Sequence, residues 1–186
     1  MHGAAVSGGF SDAPIQAARV FRASLDAMAR PGKVHRVSGA NAPTLMSPAA
    51  ACLALTLSDL EAPVHLTGAY DTGPVRDWFA FHTGAPVVAR QNACFVFGSW
   101  EDCLPLDDFM VGSAEYPDRS ATLIVEVREL GRDHRLIGPG IEAEAWLTLP
   151  DPALMQANAA RFPLGLDFFL TFGDRLAGLP RTTRIG

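Results

Sequence analysis

Phe162 to Thr183 reads FPLGLDFFLTFGDRLAGLPRTT, and the order of residue types within it decides the fold. Asp167 to Phe172 is a six-residue apolar and aromatic run of the kind that forms a buried strand, and Arg175 to Leu179 is a second short run. Gly173-Asp174 lies between them. A two-residue loop with glycine first suits a type II′ turn, whose first central residue needs a positive φ, so the block predicts a β-hairpin. Pro180 ends the pairing, and Arg181-Thr182-Thr183 follows it.

Outward from this hairpin, helices and strands interleave. Phe10-Ser11-Asp12 followed by Pro14 predicts a helix start, with Ser11 or Asp12 capping the free amides. Ala18, Phe21, Leu25 and Met28 then share one face, Arg19, Arg22 and Asp26 lie on the other sides, and Pro31-Gly32 stops the helix. Lys33 to Val37 alternates as a short strand. After a turn at Asn41 to Thr44, Ser47-Pro48 opens a helix to about Leu60 that is apolar nearly all round, which predicts burial between layers. Pro63 to Thr67 reads as a strand, Pro74 to Phe81 as a helix, and Ala93 to Phe97 and Thr122 to Val127 as strands. Arg135 to Ile137 and Ala143 to Leu149 read as strands on either side of a Gly-Pro-Gly turn, and Pro152 to Arg161 as a helix. This order predicts a layered α/β sandwich whose sheet is mixed, because at least two connections are hairpins.

A chain of 186 residues, 48% hydrophobic and 19% charged, is sized for one compact domain over residues 1–186. A formal charge of −5 without a Lys/Arg cluster argues against a non-specific nucleic-acid binder and leaves room only for local arginine sites. No apolar run approaches the roughly 20 residues of a membrane span. Met1 to Phe10 lacks the basic start and apolar core of a signal peptide, so a cytoplasmic location is expected. Cys52, Cys94 and Cys103 lack paired spacing and fit reduced structural thiols. Lys33 is the only lysine, and it stands at a helix-to-strand junction where it is expected to be solvated, unlike a Schiff-base amine.

The chemical motifs are weak. Gly138-Pro139-Gly140-Ile141-Glu142-Ala143 formally fits a relaxed dinucleotide fingerprint, but an extended segment follows instead of a helix, and Pro139 removes an amide, so a strand-linking turn is the better reading. A P-loop is excluded, because Val34 follows Gly32-Lys33 and Ala27 takes the place of its first glycine. His2, His35, His65, His82 and His134 are too far apart for a local zinc motif. His82 ends a helix, which suits either a cation favoured by the macrodipole or a ligand-facing group. Ser99 and Ser113 have no nucleophile elbow and no local partner. Arg181-Thr182-Thr183 offers a planar fork with hydroxyls beside it, the best candidate for a phosphate or phosphonate contact, with Asp167 orienting the arginine. The alternative is that Asp167 and Arg181 pair structurally at a sheet end, or that the tail docks on a partner.

The closing block resembles the C-terminal signature of the PhnH family, a subunit of the bacterial carbon-phosphorus lyase system. Four further blocks agree in order: Phe21-Arg22 with Ala27-Met28-Ala29-Arg30-Pro31-Gly32; Leu55 to Asp59 with Ala62-Pro63-Val64; Phe81-His82-Thr83-Gly84-Ala85-Pro86; and Arg135 to Ile141. The stretch Glu101 to Ser120 has no matching motif. The resemblance implies a fold like that of pyridoxal-phosphate transferases without the cofactor, homodimers in isolation, and assembly with subunits G, I and J. With subunit L, that assembly makes ribose 1-phosphonate 5-triphosphate from ATP and a phosphonate, displacing adenine. It also implies an accessory role with no catalytic residue, no cofactor and no metal of its own. Carbon-phosphorus cleavage resembles radical chemistry on an iron-sulfur cluster, and three cysteines scattered over about fifty residues cannot hold one. Arg181, Thr182, Thr183, Asp167, His82 and Arg22 are the candidate ligand or interface contacts. The alternatives are a stand-alone enzyme acting on a phosphorylated metabolite through Arg181, His82 and Asp167, or a surviving pyridoxal-phosphate enzyme using Lys33.

Overall fold

The computed structural model describes residues 8–186. His2 and most of the Met1 to Phe10 stretch lie outside the described residues. The helices are α1 (Ala13–Ala29), α2 (Pro48–Leu57), α3 (Gly73–His82) and α4 (Pro152–Ala159). The strands are β1 (Val34–Arg36), β2 (Val64–Leu66), β3 (Phe95–Ser99), β4 (Thr122–Glu126), β5 (His134–Ile137), β6 (Ala145–Leu147), β7 (Asp167–Phe172), β8 (Arg175–Leu179) and β9 (Arg184–Ile185).

The hairpin forms as expected. Phe172 pairs with Arg175 across the turn, and Gly173 alone of the two turn residues has a positive φ, at 59°. The same turn organises its surroundings: the Gly173 carbonyl accepts from the Ala49 amide in the first turn of α2, and Arg36 reaches Asp174 at 3.1 Å. A six-stranded sheet grows from this pair in the order β1-β8-β7-β4-β3-β2, with β2, β3, β4 and β7 parallel and β8 and β1 antiparallel. The sheet is mixed and both of its faces are covered, which is why its strands read as continuous apolar runs.

Successive residues of one strand feed opposite cores. Phe97, Ile124 and Phe169 pack with α1, α2 and α3, while Val96, Leu123 and Phe168 pack on the side of α4 and a smaller antiparallel sheet, β6-β5-β9. β9 has no signal in the sequence, being two residues long. α2 is buried from Ala49 to Ala54, as a helix apolar all round should be, and its Ser47 caps the Ala50 amide at 3.1 Å. It stops at Leu57, short of the Leu60 expected, and Leu60 is exposed.

α1 departs from expectation twice. Neither Ser11 nor Asp12 caps it by a side chain; the Gln16 side-chain oxygen Oε1 instead accepts from the Asp12 amide at 2.8 Å. The face of Ala18, Phe21 and Leu25 points outward, and the buried residues are Val20, Ser24 and Ala27. The cause is close approach to the sheet: a Cβ on Gly178 of β8 would lie 2.6 Å from the Ala27 backbone, so only small side chains fit between them.

Candidate functional site

At the amino end of β7, the Asp167 carboxylate meets the segment after β8. Its Oδ1 accepts from the Arg181 amide at 2.8 Å and from Arg181 Nε at 3.1 Å, and its Oδ2 accepts from Nη2. The remaining guanidinium donors are also used. Nη1 donates to the carbonyls of Pro117 at 2.8 Å and Pro163 at 3.5 Å, and Nη2 donates to Ser120 Oγ. A guanidinium has five N–H groups, and all five are placed. The Arg181 side chain is only 11% exposed, so an incoming phosphate would have to displace protein acceptors from a desolvated arginine. The geometry is that of a lock joining β7, the C-terminal segment and the stretch Glu101 to Ser120, whose Pro117 and Ser120 carried no signal in the sequence.

Thr182 is half-buried, with its carbonyl beside Gly138. Thr183 is buried, its amide closes a turn onto the Pro180 carbonyl, and its hydroxyl has no partner among the described residues. His82 belongs to a separate cluster: its ring lies 5.1 Å from that of Trp78 and 4.9 Å from that of Phe81, beneath Gly9. Arg22 is exposed on α1. Its neighbour Phe21 helps line an apolar groove of about 290 Å³ that Asp167 and Pro180 also border.

The other reactive side chains are similarly occupied. Lys33 Nζ sits 2.7 Å from Asp26, which also holds Arg30 at 2.9 Å and His35 at 3.2 Å. Cys52 and Cys103 are buried and Cys94 is partly buried; all three are free thiols, and burial pushes each one up, Cys103 to about 12. That is the opposite of the shift that activates a thiolate. Ser99 does have a local partner, contrary to the sequence reading. It donates to Asp102 Oδ2 at 2.8 Å while the Asp102 amide donates back to it, a turn contact with no histidine in it. Ser113 likewise accepts from the Tyr116 amide in a turn. Ile141 closes the Gly138-Pro139-Gly140 turn onto Gly138, and Gly140 packs on the Ala29 carbonyl, so the glycines there serve close packing. Among the described residues no three His, Cys, Asp or Glu side chains form a metal-ligating group.

A family model for a bacterial phosphonate metabolism protein, PhnH, matches residues 8–186. The chain belongs to the PhnH family. It is similar to the PhnH subunit of alpha-D-ribose 1-methylphosphonate 5-triphosphate synthase from Rhizobium meliloti, 41% identical over 189 residues that cover 96% of this chain and 94% of that protein. It is also similar, at 40% identity over 82 residues, to HtxG of Stutzerimonas stutzeri, described as a C-P lyase subunit; that match covers 40% of this chain and 42% of HtxG.

Two of the blocks that carry the PhnH resemblance meet in the fold. The segment Ala27 to Gly32 packs against the turn at Gly140, and Gly32 packs against Ala145; the cleft between them, about 500 Å³, is lined by Arg30, Lys33, Glu142 and Glu144. Of its three cations Arg30 and Lys33 are held by Asp26, Arg132 has no carboxylate within ion-pair distance among the described residues, and Glu144 is held by Arg135. One polar cluster was missed in the sequence. At the carboxyl end of β4, Glu126 Oε2 accepts from Tyr70 at 3.1 Å and lies 3.1 Å from the Thr171 hydroxyl on β7. Burial pushes the Glu126 carboxyl above the ordinary carboxylate range, and burial with the nearby Glu126 pushes the Tyr70 phenol up as well. A glutamate closing the apolar strand TLIVE was the available signal. Among the described residues no cation lies within ion-pair distance of it; hydroxyls do the holding.

Proposed function

We propose that this chain is an accessory, non-catalytic subunit of the carbon-phosphorus lyase core complex, required for making ribose 1-phosphonate 5-triphosphate from ATP and an alkylphosphonate. The observation that carries the proposal is similarity over 94% of the length of a synthase subunit. The geometry supports an accessory role. Arg181 has spent its donors on protein acceptors, the thiols are held protonated by burial, and Lys33 is ion-paired and half exposed instead of desolvated. The implied kinship with pyridoxal-phosphate transferases is part of the same proposal, supported by the layers packed about a mixed sheet and by that unsuitable lysine. So are action as a single domain in the cytoplasm, homodimers in isolation, and assembly with subunits G, I and J beside subunit L.

Co-expression with those subunits followed by size-exclusion chromatography tests the role. Co-elution is expected, with turnover of ATP and methylphosphonate only in the assembled mixture. Turnover by the purified chain alone would replace this proposal with a stand-alone enzyme. An absorbance band from a Schiff base that vanished in Lys33→Ala would replace it with a pyridoxal-phosphate enzyme.

A further inference from the structure

The outward face of α1 is apolar where a surface helix should be polar. Ile15, Phe21 and Leu25 are 50%, 48% and 55% exposed, and Ala18 between them is exposed too. At about 100° per residue, Ala18, Phe21 and Leu25 form one stripe with Ile15 at its edge. Scattered exposed hydrophobes need no explanation, whereas a stripe along one helix marks a contact surface. It continues through Met28 into the groove of about 290 Å³ bordered by Leu57, Phe95 and Pro180.

The free charges of α1 beside the stripe are of one sign. Arg22 and Arg19 line one side of it, and neither has a carboxylate within ion-pair distance among the described residues. Asp26, the acidic residue of the helix, is engaged by Arg30, Lys33 and His35. The chain as a whole carries −5, so two unpaired arginines here run against its overall charge. A second copy applied as an antiparallel two-fold centred on Ala18 to Leu25 would bring Arg22 beside the same residue of its mate, an unfavourable like-charge contact.

Resting on the reading of the chain as a complex subunit, we infer that this face of α1 docks an amphipathic helix of a different subunit, one that carries carboxylates opposite Arg22 and Arg19. α1 spans about 25 Å, long enough for anchors at three- and four-residue spacing, and Phe and Arg are residue types that dominate such contacts.

The test is co-purification of untagged chain with the other, tagged subunits of the synthase. Leu25→Glu and Arg22→Glu are each expected to weaken retention roughly tenfold or more. Arg22→Lys is expected to keep most of it, and Leu154→Glu, at an exposed position of α4, to match the unaltered chain. Thermal melts check that the variants fold. Light scattering on the purified chain is expected to give the same mass for Leu25→Glu as for the unaltered protein. If the unaltered chain itself fails to co-purify, the subunit reading falls and takes this inference with it. If the unaltered chain and Leu25→Glu are retained equally, the inference alone is overturned. If Leu25→Glu converts a dimer of the isolated chain to a monomer, the occupant is a second copy, and the inference is again overturned.

Discussion

Arg181 and Arg22 are the same residue type, each next to an apolar run, and they end in opposite situations. Arg181 follows β8, is nearly buried, and gives every guanidinium donor to Asp167, Pro117, Pro163 and Ser120. Arg22 stands in the open beside Phe21 and Leu25, with no carboxylate within ion-pair distance among the described residues. The difference teaches that an arginine beside apolar residues is neither a ligand site nor a scaffold by itself. What decides is whether other chain segments bring acceptors to it, and for Arg181 they come from up to 64 positions away.

The comparison breaks most visibly at Arg181. Arg181→Ala leaves the partly buried Asp167 carboxylate without its cation and strands acceptors on three segments, a loss of about 3 kcal/mol, the low end of what breaking a buried pair costs. Urea unfolding should show the loss, and Arg181→Lys should recover only part of it, since one ammonium cannot reach acceptors on three segments. A variant as stable as the unaltered chain would mean that Arg181 is no lock. The inward face of α1 comes next. Gly178→Ala forces a methyl against the Ala27 backbone, and overpacking of this kind costs about 1–3 kcal/mol. An unchanged midpoint in the same assay would show that α1 can shift away from the sheet.

Glu126 sharpens the comparison from the acid side, because its partners are hydroxyls and not a cation. Its folded-state carboxyl is raised, so the folded state holds a proton that the unfolded state has released. Stability from this group is complete below the ordinary glutamate range and is lost as pH rises through the folded value. Glu126→Gln should flatten that fall in a pH series of unfolding midpoints; an undiminished fall would assign it to other groups. The smallest effect belongs to the outward stripe. Leu25→Glu should change the stability of the isolated chain by no more than about 0.5 kcal/mol, against its large effect on association. A large destabilisation would mean that the stripe is packed within the chain.

Much of the fold was legible because local rules and tertiary demands agree. The hairpin at Gly173-Asp174 was written in a glycine placed where φ must be positive, between two runs of β-forming residues. α2 was legible as a buried helix because alanines and leucines surround it on all sides. α1 misled because its larger apolar residues suggested the inward face, whereas Gly178 of β8 comes against the Ala27 backbone and the face of Val20, Ser24 and Ala27 is the one buried. The role of the stretch Glu101 to Ser120 was invisible, since its contacts to Arg181 run from a backbone carbonyl and one serine, groups present in any sequence.

The sequence alone determined the alternation of elements, the mixed sheet, the family blocks and the absence of credible phosphate-loop and cluster-cysteine motifs, because these rest on residue type and spacing. Only the tertiary structure decided that Arg181 is saturated, that Glu126 is held by Tyr70 and Thr171, and that the apolar stripe of α1 faces out. Each of those depends on which distant segments come within hydrogen-bonding or packing distance, and short-range patterns carry no record of that.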